Sequence, residues 1–158
     1  MTSSVAQSAR RRRLLLVVGL LVLPALLASP SAAADTVRII QTNSMGDRVH
    51  IIDPTTNTIV GTIAGVERAH GAQPTPDGRW MFVANESLDT VDVIDVEALA
   101  VTKRIPLSGR PNNLAITPDG RKVYVAIAQA PGALDVIDTA SQELVRTISV
   151  HGGVHNTY

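Results

Sequence analysis

The sequence contains no cysteine. Disulfide bonds, cysteine-ligated zinc, thiolate nucleophiles and lipid attachment at a cysteine are therefore excluded. The sequence also lacks a G-x-S-x-G nucleophile elbow and a phosphate-binding glycine loop, and no serine stands beside a histidine in a recognisable pattern. Nucleophilic catalysis thus finds no support, and we identify no catalytic residue.

The one long apolar run lies near the N-terminus, at residues 14–28, after four consecutive arginines at 10–13. Ala32 and Ala34 then form the A-x-A pattern of a signal-peptide cleavage site. We expect cleavage after Ala34, export to the periplasm or the extracellular space, and no membrane attachment afterwards. A transmembrane anchor is the alternative, but it requires roughly 20 apolar residues. Arg11 and Arg12 form the pair that a twin-arginine signal requires, so export by that route stays open beside the general secretory route.

Positive charge is scarce once residues 1–34 are set aside. They hold four of the fourteen lysines and arginines and none of the fourteen acidic residues, so the rest of the chain has a net charge of about −4. Nucleic acids and anionic membranes reward clustered positive charge. We therefore expect neither as a partner, and expect a small molecule or another protein instead.

An internal repeat organises the rest of the chain. Segment 67–84 recurs 42 positions later as 109–126, with eight of eighteen residues identical and five of these in the run TPDGR. Asp53 and Asp95 are also 42 apart, and Asp138 follows 43 residues after Asp95. A period of this length is typical of a β-propeller blade.

Short runs rich in Val, Ile, Thr and Tyr follow one another from Thr36 onward between clusters of turn residues, and no window sustains a helical period. This pattern predicts an all-β fold, a β-propeller of four-stranded antiparallel blades. The predicted parts are a signal peptide at 1–34 and a partial propeller at 35–158, with blade 1 at about 36–65, blade 2 at about 69–107, blade 3 at about 111–150 and the start of blade 4 at 154–158.

Two sequence features predict the turns within each blade. The TPDG segments at 75–78 and 117–120 place proline at the second position of a type I turn and glycine at the fourth, where a positive φ is often needed. Asp53, Asp95 and Asp138 each end a strand, where their carboxylates can accept backbone N–H bonds from the following turn.

The segments FVAN at 82–85, VYVAI at 123–127 and VIDxxxxxV at 93–101 resemble the YVTN-type β-propeller repeat family, exported bacterial propellers of seven blades. The resemblance covers residues 36–158 and implies a monomeric ring. Ile127 departs from the motif, where asparagine is expected, and this weakens one turn. Related propellers bind metals, heme-type or quinone cofactors, or sugar lactones, so the resemblance implies no single activity.

About three blades of a probable seven are present. Each blade buries both faces against its neighbours, and known rings use four to eight blades. We therefore expect the chain to be the N-terminal part of a longer protein. Folding as an open sandwich, or head-to-tail assembly of copies into a ring, are the alternatives.

The connections between blades carry the candidate site. In propellers, the link from the fourth strand to the next inner strand lies on the face where ligands usually bind, near the mouth of the central channel. The candidate ligand contacts at this channel rim are Arg68, His70, Arg110, Asn112 and His155. His70 and His155 are candidate metal ligands, because neutral imidazole binds zinc, copper and iron. Arginine suits carboxylate or phosphate. The alternative is that all five are polar rim residues that meet water.

His50 aligns with Asp92 and Asp135 in the third strand of each blade. We interpret this recurring polar position as a contact between blades or with solvent, rather than as a ligand.

Three functions remain open. The leading interpretation is an exported binding or scaffold module that holds a small ligand or a protein partner. The first alternative is a metal- or cofactor-dependent oxidoreductase or carrier, with histidines at the rim. The second is a lactone hydrolase, which would need acidic metal ligands in the channel. The sequence identifies no particular cofactor.

Overall fold

The computed structural model describes residues 37–158, so the predicted signal peptide lies outside the described residues. Within them the chain forms β-strands and no α-helix, and hence no helix that could cross a bilayer. The strands are β1 (Ile39–Gln41), β2 (Arg48–Asp53), β3 (Thr58–Ala64), β4 (Ala69–Pro74), β5 (Trp80–Asn85), β6 (Thr90–Asp95), β7 (Ala100–Pro106), β8 (Pro111–Ile116), β9 (Lys122–Ile127), β10 (Ala133–Asp138) and β11 (Glu143–Ser149).

The strands form three antiparallel sheets in which neighbours in sequence are also neighbours in space. Blade 1 contains β1 to β3, blade 2 contains β4 to β7, and blade 3 contains β8 to β11. This arrangement confirms the predicted fold class, a partial β-propeller. A fourth blade stays a prediction: residues 154–158 form no strand, although the N–H of Val154 donates to the carbonyl of Ile127 at 2.9 Å.

The hydrophobic core lies between successive blades, and β5 shows why. Met81 and Val83 pack towards one buried cluster with residues of blade 1, whereas Phe82 and Ala84 pack into a second cluster with residues of blade 3. Successive side chains of a strand point to opposite faces of its sheet. A blade with neighbours on both sides must therefore be apolar at consecutive positions, as WMFVAN is.

The two TPDG turns adopt the predicted geometry. Gly78 and Gly120 have φ angles of 70° and 69°. The hydroxyl of Thr117 donates to Asp119 Oδ1 at 2.5 Å, and Thr75 binds Asp77 in the same way. These side-chain hydrogen bonds, with help from the backbone N–H two residues after each aspartate, lower the pKa of both carboxyls.

The aspartates at the ends of the third strands also act as predicted. Asp53, Asp95 and Asp138 each accept a hydrogen bond from the N–H two residues further on, at 2.8, 2.9 and 3.1 Å. Each carboxylate thereby fixes the turn that leads into the outer strand of its blade.

Candidate ligand-binding site at the channel rim

The structure places the five predicted rim residues at equivalent points of successive blades. His70 lies near the start of β4 and is half-buried, and Asn112 lies at the same point of β8 and is buried. Arg68 and Arg110 lie just before these strands and are exposed, as is His155 in the segment that follows β11. Their roles as ligand contacts stay predictions.

Contacts between the innermost segments set the level of these positions. A methyl group built on Gly71 would lie 2.6 Å from Asn113 Oδ1, so β4 and β8 approach closely at this point. Asn113 Nδ2 in turn donates to Asn156 Oδ1 at 3.4 Å. Gly71, Asn113 and Asn156 directly follow the three positions predicted to bind a ligand. The three preceding residues, His70, Asn112 and His155, therefore lie at the same height along the inner segments of three consecutive blades.

Asn112 carries an unsatisfied polar atom at this level. The residue is 7% exposed, and its carboxamide oxygen accepts no hydrogen bond within residues 37–158. A buried polar group without a partner costs roughly 1–3 kcal/mol. Such a group calls for a donor from outside the described residues, such as a water molecule, a ligand or another part of the protein.

The two rim arginines differ in their surroundings. Arg68 has a positive φ of 50°, and its Nη2 lies 3.4 Å from Glu86 Oε2. Its charge is therefore partly matched by an acid of the same face. Arg110 is exposed and forms no ion pair within residues 37–158. Of the two, Arg110 is the better donor for an anionic group of a ligand.

The described residues do not bring a complete set of metal ligands together. No group of three or more His, Asp or Glu side chains within residues 37–158 is placed to hold a metal ion. Metal binding by His70 and His155 stays a prediction, and it would require ligands supplied from elsewhere.

The recurring polar position of the third strand was interpreted as a contact between blades or with solvent; in blades 2 and 3 it is a buried aspartate, and Asp135 bonds to the preceding link whereas Asp92 bonds within its own blade. Asp92 and Asp135 are fully buried. Asp92 Oδ2 accepts a hydrogen bond from Arg104 Nε at 3.4 Å, and Arg104 Nη2 donates to the carbonyl of Gly65 at 2.8 Å in the link from blade 1. Ser108, in the link from blade 2, donates both its N–H and its hydroxyl to Asp135, at 2.7 and 3.0 Å.

Sequence reasoning gave no role to Arg104 or Ser108, which bind these carboxylates and belong to no motif that recurs between blades. The one signal in the sequence is that Asp92 and Asp135 recur 43 residues apart within apolar strands. A buried carboxylate needs donors, but their identity depends on the packing of the links.

A known protein family and a bacterial protein resemble this chain. The model of the cytochrome D1 heme domain matches residues 35–157. An uncharacterized protein of Bacillus subtilis, YwhL, is 29% identical, over 61% of this chain and 28% of that protein.

Three solved structures share the fold. Hydrazine synthase of Kuenenia stuttgartiensis is 31% identical with a TM-score of 0.70, over 73% of this chain and 34% of that one. The dihydro-heme d1 dehydrogenase NirN is 19% identical with a TM-score of 0.63, over 71% and 25%. A protein of unknown function from Desulfotomaculum acetoxidans is 16% identical with a TM-score of 0.65, over 70% and 36%.

The chain thus spans about a quarter to a third of the length of these relatives. The family match extends from the first predicted residue of the propeller almost to Tyr158 and includes all three blades. On this match, the chain belongs to the cytochrome D1 heme domain family.

Proposed function

We propose that this chain supplies blades to an exported β-propeller that holds a small ligand at the mouth of its channel. The observation that carries the proposal is the buried, unsatisfied carboxamide oxygen of Asn112, at the level shared with His70 and His155. Two imidazoles and one carbonyl oxygen on consecutive inner segments offer neutral nitrogen and oxygen atoms to a ligand.

A heme-type cofactor is the ligand that we place first, because the family is named for a heme domain and NirN was solved in complex with DHE. The rim residues fit such a group better than a bare ion. A macrocycle brings four ligands to its metal and needs only one or two from the protein, such as a histidine. His70 would hold the metal, and Arg110 would pair with a carboxylate of the macrocycle.

A bound heme-type cofactor would supply redox or carrier chemistry, which the rim residues lack by themselves. The chain's own contribution is to bind and orient it. The half-buried His70 keeps one imidazole partly shielded from water, whereas the carboxamide oxygen of Asn112 can accept a hydrogen bond from a water molecule held between the rim and the ligand. This is the oxidoreductase or carrier form of the proposed function.

The finer assignments belong to the same proposal. We place the chain among YVTN-type repeats, on the strength of its VAN, VIDV and PDGR motifs. Export through the segment 1–34, and a location in the periplasm or outside the cell, rest on the pattern of that segment. The scaffold form, with a protein partner on the ring surface, is the alternative if no small ligand binds.

The test uses the full-length protein titrated with hemin and followed by its visible spectrum and metal content. We expect saturable binding that His70→Ala weakens at least tenfold and Asn112→Leu weakens at least threefold. His151→Ala is the control for His70→Ala, because it also removes one histidine, but from an exposed position that is not one of the five rim positions. A protein that binds no hemin rejects the cofactor form. Native mass spectrometry that finds no other bound small molecule then rejects the ligand-binding proposal.

A further inference from the structure

Blades 2 and 3 each carry a buried aspartate at the same position. Among the described residues, a cation lies beside this aspartate in blade 2 but not in blade 3. Asp92 has a cation beside it, because Arg104 Nε lies 3.4 Å from its Oδ2. Asp135 belongs to no ion pair within residues 37–158. It occupies the equivalent position and is equally buried, and among the described residues its hydrogen-bond donors are Ser108 and Thr147.

Strand register shows what replaces the cation. Arg104 pairs with Asp92 across β6 and β7, and Thr147 pairs with Asp135 at the same point of β10 and β11. The Thr147 hydroxyl donates to Asp135 Oδ1 at 2.7 Å. A short side chain therefore stands where blade 2 has a long cationic one.

Open space accompanies this change. A depression of about 280 Å³ is lined by both hydrogen-bond partners of Asp135, by Gln129 and Ser149, and by the loop 130–132, whereas Asp135 itself is buried behind Ser108 and Thr147. The loop is one residue longer than its counterpart in blade 2. Side-chain amide and hydroxyl oxygens on this wall can accept hydrogen bonds from a cation, as the carbonyl of Gly65 does from Arg104.

We propose that this depression binds a guanidinium group, which would supply blade 3 with the positive charge that Arg104 supplies beside Asp92 in blade 2. The group would lie beside Thr147 and Ser108, where the field of the buried Asp135 carboxylate favours a positive charge. Planar guanidinium with several N–H donors suits a wall of oxygen acceptors better than a compact ammonium does. None of the five rim residues lines the depression, although Gly109 on its wall directly precedes Arg110.

The test follows methylguanidinium binding to the full-length protein by NMR, through the amide shifts of Ser108, Gln129, Thr147 and Ser149. Methylurea, which has a similar shape and no charge, is the control ligand. We expect methylguanidinium to bind at least tenfold more tightly than methylurea. A short peptide with one arginine distinguishes a protein side chain from a free small molecule as the natural source, according to which of the two binds more tightly.

Two variants test the assignment. Thr147→Arg supplies the cation from the chain itself, so we expect it to raise the melting temperature and to abolish the shifts. Asp135→Asn removes the charge and should weaken binding at least tenfold. If Asp135→Asn does not fold, the Thr147→Arg variant still tests whether methylguanidinium binds in the depression. Equal binding of methylurea, or undiminished binding of methylguanidinium to Thr147→Arg, would overturn the proposal.

Discussion

Asp92 and Asp135 occupy the same position of β6 and β10, both fully buried, and each accepts three side-chain or linker hydrogen bonds from a different set of donors. Asp92 is bound by Asn85, Thr90 and Arg104. Asp135 is bound twice by Ser108 and once by Thr147. Blades 2 and 3 share the carboxylate, but its donors differ between them. In both cases a buried acid ties the outer strand, or the incoming link, to the centre of its blade.

Arg104→Met tests how much this tie stabilises blade 2. The variant keeps most of the apolar stem but removes the hydrogen bonds to Asp92 and to the carbonyl of Gly65. Because the Arg104 side chain is 46% exposed, we expect a loss of only about 1–2 kcal/mol in the free energy of unfolding. Urea denaturation of the full-length protein measures it. Arg146→Met, an exposed arginine of β11, is the control and should change stability by less than about 0.5 kcal/mol.

Asn85→Leu tests the turn motif that gave the resemblance to YVTN-type repeats. Asn85 is fully buried, donates to Asp92 at 3.0 Å, and accepts the N–H groups of Ser87 and Leu88. Leucine has a similar volume but leaves these partners unsatisfied, so we expect a loss of roughly 2–4 kcal/mol. At the equivalent position of blade 3, Ile127→Val should cost only about 0.5–1.5 kcal/mol. Equal losses in urea denaturation would show that the hydrogen bonds of Asn85 contribute little.

Local chemistry explains why so much of the fold could be predicted. The TPDG turns and the strand-ending aspartates act through atoms two to five residues away, so their geometry is encoded in a short window. The arrangement of strands into blades was predicted from the 42-residue period, because a repeat of that length is typical of propeller blades.

The site could not be predicted to the same depth, because its contacts join distant residues. Asp135 and Ser108 are 27 residues apart, and Arg68 and Glu86 are 18 apart. No pattern within a short stretch of sequence predicts such pairs. Ile127 illustrates the limit. It departs from the motif and cannot form the side-chain hydrogen bonds of Asn85, and Asp135 instead accepts the N–H and the hydroxyl of the distant Ser108.

The pKa of Asp119 should depend on the hydroxyl of Thr117. This hydrogen bond is the main cause that lowers the pKa, ahead of the backbone N–H of Arg121. The bond therefore adds stability that is present above the unfolded pKa of about 3.9 and is lost as pH falls through the lower folded pKa. In Thr117→Val we expect the Asp119 pKa to move up towards its ordinary value, and the acid-dependent loss of stability to shrink. Carboxyl carbon NMR titration measures the change, and Thr117→Ser, which keeps the hydroxyl, should leave the pKa low.

Gly71→Ala tests the close approach of β4 and β8, on which the common level of the rim residues depends. The added methyl group would lie 2.6 Å from Asn113 Oδ1 and 2.9 Å from Asn113 Cα, and the latter is backbone that cannot turn aside. We therefore expect the inner strands to separate, at a cost of about 1–3 kcal/mol in urea denaturation. Gly61→Ala in β3 is the control, because its methyl group would meet no atom closer than 3.4 Å. It should be neutral or raise stability by up to about 1 kcal/mol, since alanine restricts the unfolded chain. A Gly71→Ala protein as stable as Gly61→Ala would mean that the inner strands do not meet at this residue, and the shared level of His70, Asn112 and His155 would lose its structural basis.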